Sequence, residues 1–210
     1  MAPLPSKDTS KFLQHGAKVL GLGNSKIFIL SLRPPFVSDI RHLFATTSEE
    51  DNELFNYYLK GIEVSTLGKL GALRRIAERV NKHLTYQSDQ KTYGKPEYWA
   101  SPMQIHKKAI DDCDGSALLI CYLARLIGFS PLEIFVRAGD TAAGPHAHVI
   151  WFDWDLKEWF PVEGSLNAKE CLGLLGRVPM RYNPTYQDQS TYYITNDELS
   201  FSTYPIRLVR

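Results

Sequence analysis

From Cys113 to Ile127 almost every position is apolar: Ala117, Leu118, Leu119, Ile120, Cys121, Tyr122, Leu123, Ala124, Leu126 and Ile127. A helix that is apolar on all faces is a buried one, packed on several sides. Asp111 or Asp112 can cap its start, and Gly128 and Pro131 stop it. Only the end near Cys113 can reach solvent. The pattern predicts a core helix with a thiol at its mouth.

Shorter patterns surround it. Ser48-Glu49-Glu50-Asp51 supplies a cap and first-turn acids, and Leu54, Phe55, Tyr58 and Leu59 then share a helical face. Leu67, Leu70, Leu73, Ile76, Ala77 and Val80 recur at helical spacing up to Leu84. Residues 85–110 are rich in turn formers, and Ser101-Pro102 starts a short helix that carries Met103, Gln104 and His106 toward the central segment. After the core helix come strand-like runs at 132–137, 147–152 and 159–162. Residues 139–145 read as a polar loop, placed to act as a lid beside the following histidines. The short connection between Asp153 and Glu158 predicts an antiparallel hairpin. Residues 26–32 and 206–209 read as further strands, and residues 1–25 as a loose lead-in. The expected architecture is α+β, one domain over residues 1–210, with the central helix packed on an antiparallel sheet.

Composition narrows the function more than the fold. A net charge of +1 gives no reason to expect nucleic acid or an anionic membrane as partner. The spacing of Cys113, Cys121 and Cys171 matches no zinc template, and a reduced environment is the simpler expectation. Residues 1–10 lack the apolar stretch of an export signal, and no run is long enough to span a bilayer. A soluble chain is expected, cytoplasmic or part of a larger assembly, with no cofactor and no metal. Oligomeric state has no handle in the sequence.

The chemistry concentrates on three places. Cys113 sits at the first helical turn, where peptide dipoles and free N–H groups favour a thiolate. Asp112 and Asp114 beside it act in the opposite sense. His146 and His148 alternate along one face of a strand, and Glu163 ends the next. With residues 154–157 as the hairpin loop, Glu163 lies opposite His148, with His146 one pleat further on the same face; a loop shifted by one residue puts Glu163 opposite His146. Cysteine, histidine and carboxylate are the set that activates a nucleophile and orients its base. A His-x-His pair also offers two nitrogens to a metal, the outsider reading.

These residues are similar to a known pattern. Asn81, Tyr86, Tyr98-Trp99-Ala100-Ser101-Pro102, Asp112-Cys113-Asp114, His146-Ala147 and Trp159 to Glu163 resemble the transglutaminase-like superfamily, and within it the bacterial transglutaminase-like cysteine proteinases, over residues 75–165. The resemblance implies a papain-like fold and a protein or peptide substrate. It implies Cys113 as nucleophile, His146 as base with His148 the alternative, and Glu163 in the place of the usual orienting aspartate. The backbone N–H of Cys113, helped by Trp99 or Gln104, would serve the oxyanion. Gly115 stands where the pattern has an acidic residue, which weakens the inference of a bound calcium such as some of these proteinases use. A peptidase or amidase is the leading reading; a transglutaminase of the same fold and a catalytically silent structural or binding module are the alternatives.

Overall fold

The computed structural model describes residues 28–29, 40–142, 144–164, 178–182 and 191–202. Strand β1 (Phe28–Ile29) is the described part of the run expected at 26–32. Helix α1 (Ser48–Leu54) starts one residue earlier than the sequence suggested. Thr47 is its cap: its hydroxyl accepts the Glu50 N–H at 3.2 Å, and the Glu50 carboxylate accepts the Thr47 N–H at 2.8 Å. A π-helical turn, Phe55–Leu59, follows directly and buries Tyr58 and Leu59. Helix α2 (Val64–His83) is kinked at Gly68, whose φ of 68° lies outside the helical region, and it buries Leu73, Ile76, Ala77 and Val80.

Residues 85–110 carry more regular structure than expected. Strand β2 (Thr85–Tyr86) and helix α3 (Asp89–Thr92) precede helix α4 (Pro102–Lys108), which Ser101 and Gln104 open with a capping box. Strand β3 (Ile110–Asp111) pairs in parallel with β2, setting Tyr86 opposite Asp111. Helix α5 (Cys113–Leu126) is the expected core helix: Leu118, Leu119, Ile120, Cys121 and Leu123 have no exposed surface.

Strands β4 (Ile134–Thr141), β5 (Gly144–Asp153), β6 (Glu158–Val162), β7 (Thr191–Thr195) and β8 (Ser200–Ser202) complete a sheet in the order β1-β8-β7-β4-β5-β6, each neighbouring pair antiparallel. Helix α5 packs on β4 and β5 with α2 on its other side. Ile134, Val136, Val149 and Trp151 face this helical core. Phe135, Ile150 and Phe152 face a second apolar cluster with Trp159, Met180, Ile194 and Phe201. A sheet buried on both faces explains why residues 147–152 read as a continuous apolar run rather than an alternation. The architecture is α+β, with the helix on an antiparallel sheet.

Two expectations change. The expected loop at 139–145 is not a lid: residues 139–141 and 144–145 are ladder, with Gly139 opposite His146 and Thr141 opposite Gly144. Polar and glycine-rich composition mimicked a loop there, but ladder pairing satisfies that backbone. Strands β7 and β8 lie in a stretch to which the sequence pattern assigned no element, while the strand expected at 206–209 and Cys171 lie outside the described residues. No helix among the described residues is long and apolar enough to cross a membrane.

The turn between β7 and β8 is bound to the far end of α5. Arg125 holds both carboxylate oxygens of Asp197 at 2.6 and 2.9 Å. The fully buried Asn196 donates its amide to Pro131 O at 2.6 Å and Ile134 O at 2.9 Å, and its oxygen accepts the N–H groups of Glu198 and Leu199. Asn196→Ala leaves two buried carbonyls and two amides short of partners, so urea unfolding is expected to lose roughly 2–4 kcal/mol. A change within error of zero would exclude Asn196 as the clamp.

Candidate active site

Asp112 caps α5, its carboxylate accepting the Asp114 N–H at 3.3 Å, and this places Cys113 in the first turn. Cys113 is partly exposed and free, whereas Cys121 is buried eight residues along the same helix and its thiol is pushed up by burial. Tyr86, 61% exposed, stands at the rim of this helix end opposite Asp111.

The hairpin takes the first of the two registers the sequence allowed. Val149 pairs with Val162 and Asp153 with Glu158, so the ladder, continued, sets Glu163 opposite His148. Glu163 nonetheless reaches diagonally to His146, whose Nε2 lies 2.9 Å from Oε2 and 3.1 Å from Oε1. Diagonal neighbours across an antiparallel pair are further apart than direct ones, and the extra methylene of glutamate spans that difference. Gly164 lets the strand end approach the helix: a Cβ there would overlap Ile120 Cδ1 and lie 3.2 Å from Ser116 Cβ.

Burial alone would lower the His146 pKa, but the nearby Cys113 and the Glu163 carboxylate outweigh it and push the imidazole up to about 10. His148 stacks behind it, ring centroids 5.8 Å apart, and is 1% exposed. Burial first, and then the positive charge of the neighbouring Arg137, hold His148 well below the usual histidine range. Of the two histidines, His146 therefore meets both the thiol and the carboxylate. His146, His148 and Glu163 present ligand atoms within 4.8 Å of one another, but the buried Arg137 cation opposite His148 opposes a metal ion there.

The two oxyanion candidates fare differently. Trp99 is half-buried against the core, its ring 6.5 Å from that of Tyr193. Gln104 is exposed, and its side-chain oxygen accepts the Ser101 N–H at 3.0 Å. Capping therefore occupies the oxygen of that amide.

What sequence reasoning missed lies on the other side of Cys113. Asp89, Asp111, Asp112 and Asp114 bring carboxylate oxygens within 4.8 Å of one another. Oxygens on opposite sides of a calcium ion are separated by about twice its bond length, roughly 4.6–5.2 Å, so the spacing suits a hard divalent cation. Asp114 is 3% exposed and neither of its oxygens has a hydrogen-bond partner; Asp89, 2% exposed, has one such oxygen. Burial, then the nearby Asp112 carboxylate, pushes Asp114 up to about 11, and burial pushes Asp89 and Asp111 up to about 6. Burial thus disfavours the charged form of Asp114, which weakens the negative charge that the sequence set against a thiolate. The dense run at 111–114 was a signal for this cluster; Asp89, brought in from α3, had none.

Calcium-bound LapG of Legionella pneumophila has the same architecture, with a TM-score of 0.51 at 14% identity over 92% of this chain and 87% of that one. The chain has the transglutaminase-like fold. A second LapG structure matches with a TM-score of 0.49 at 15% identity, covering 80% of this chain and 90% of that one. A TGase matches at 0.40 and 18% identity, over 75% of this chain and 37% of that one. No protein-family model and no curated protein matches the sequence. In the transglutaminase-like fold of this chain the helix mouth, the histidine strand and the β6 end converge at one point.

The proton on His146 makes stability depend on pH. A histidine whose folded pKa is raised to about 10 from 6.5 stabilises fully below the lower value and loses this as pH rises through the higher. The stability advantage of wild type over His146→Gln is expected to shrink steadily between those two values in urea titrations. A constant difference across the window would exclude an imidazolium held between Cys113 and Glu163.

Proposed function

We propose that the protein is a cysteine-nucleophile acyl-transfer enzyme, a peptidase or amidase acting on a protein or peptide. The observation that carries this is the imidazole of His146, held by the Glu163 carboxylate through Nε2 at 2.9 Å and close enough to Cys113, at a partly exposed helix start, for the thiol to act on its proton. With Nε2 engaged by Glu163, Nδ1 is the nitrogen that exchanges a proton with the thiol.

The proton of the Cys113–His146 pair resides on His146, and the Cys113 sulfur attacks the substrate carbonyl carbon, forming the C–S bond as the carbonyl π bond opens to an oxyanion. The Cys113 backbone N–H, in the unsatisfied first turn of α5, donates to that oxygen. His146 then protonates the leaving amine as the C–N bond breaks, leaving a thioester. Water, deprotonated by His146, attacks next; the C–S bond breaks, the acid departs and the thiol is restored. Glu163 orients the imidazole and balances its charge throughout. The glutamate that stands in place of the usual aspartate lies 2.9 Å from the imidazole, which supports the enzyme reading over a silent module. Asp89, Asp112 and Asp114 would hold a calcium-like cation, whose chemistry when bound is to neutralise the carboxylates beside the thiol and fix the helix start. The buried oxygens without partners support this, as does the calcium in the LapG structure.

An electrophilic amide probe tests the reading. Cys113→Ala is expected to abolish labelling, and His146→Gln to slow it by about 100-fold at neutral pH. Labelling of Cys113→Ala at the wild-type rate would sink the proposal. Incorporation of a fluorescent primary amine into a glutamine-containing peptide would identify a transglutaminase, and hydrolysis without incorporation a peptidase.

A further inference from the structure

Position 115 carries glycine where the pattern that this chain resembles has an acid, and the sequence alone read this as the loss of a cation ligand. The fold refills the place from the opposite direction. A Cβ on Gly115 would overlap the carboxyl carbon of Asp111 and lie 2.5 and 2.6 Å from its two oxygens. The space that a side chain at 115 would enter is thus filled by the Asp111 carboxylate, projected from β3. Only glycine permits it.

We propose that Asp111 is a ligand of the calcium-type cation, standing in for the acid absent at position 115, and that Gly115 is its obligatory counterpart. This rests on the cation reading above. Three features carry it. The Asp111 carboxylate is 98% buried by neighbours yet lies within 4.8 Å of the ligand oxygens of Asp89, Asp112 and Asp114. Its aim is fixed, since Oδ2 accepts the Tyr93 hydroxyl at 2.9 Å and Oδ1 the Asp112 N–H at 2.9 Å. Each oxygen keeps a lone pair for a cation. The neighbouring Asp114 oxygens, buried with no partner, mark where that cation sits. Tyr93 thereby becomes a positioning residue for the site, and the ligand set comes from three elements: α3, β3 and the start of α5.

Titration calorimetry of the full chain with calcium chloride decides the matter. Wild type is expected to bind, and Asp111→Asn, which keeps the size and an acceptor for Tyr93, to bind about tenfold or more weakly. Gly115→Ala keeps every carboxylate and displaces only one; it is expected to weaken binding similarly, with the far-UV circular dichroism of both variants unchanged. Moving the acid back, with Asp111→Ser and Gly115→Asp together, is expected to restore affinity. Wild-type binding with both single variants equal to it would overturn the role of Asp111 and leave the cation reading standing. No binding by wild type would overturn both, without touching the cysteine chemistry, which the amide probe reads separately.

Discussion

A helix that is apolar on every face can meet water only at an end, and the rest of this structure follows from that constraint. Leu118, Leu119, Ile120 and Leu123 are wholly enclosed between β4 and β5 on one side and α2 on the other, each worth about 1.5–3 kcal/mol of burial. That enclosure cannot slide or rotate without exposing apolar surface somewhere, so the position of Cys113 at the mouth is rigid. The Arg125–Asp197 pair and the Asn196 clamp hold the other end to the β7–β8 turn. The thiol is thus presented by core packing, not by a loop.

On either side of it lie two desolvated electrostatic systems of opposite kind. One is an imidazole kept protonated by a carboxylate and a thiol despite burial. The other is a cluster of four carboxylates in which burial favours protons or a cation over free charge. Both work because the interior screens poorly and each unbalanced charge there must find a partner. The acids around the cysteine, awkward when read as a line of text, belong to the second system and leave less negative charge on the thiol than their number suggests. Arg137 and His148 form a third layer behind the imidazole, where burial first, and then a fixed positive charge, disfavour the charged form of the second histidine.

Legibility in the sequence tracked how local each cause was. The core helix and the β5–β6 hairpin follow from apolar runs, turn residues and the pleat, and they were readable; the sequence left the hairpin between two registers and the helix cap between Asp111 and Asp112, and the structure chose. The stretch at 139–145 was not, because glycine and polar residues look alike in a loop and in a ladder whose partners are elsewhere. Strands β7 and β8 were hidden similarly: their tyrosines and threonines suit a strand, but only pairing with β4 makes them one. Gln104 looked like a candidate for the oxyanion; a local capping box engages its oxygen, so any donor role falls to its amide N–H groups.

By itself, then, the sequence determined that a cysteine opens a buried helix, that two histidines share a strand face, and that a carboxylate follows within hairpin reach. These are consequences of periodicity, which is a property of neighbours along the chain. Which histidine the Glu163 carboxylate reaches, how a glutamate spans to it, and what fills the space above Gly115 were decided only by the tertiary structure. Each depends on distances between elements brought together by core packing: a diagonal across two strands, a strand end let close by Gly164, and a carboxylate from β3 laid over the first turn of α5. No spacing along the chain encodes those distances.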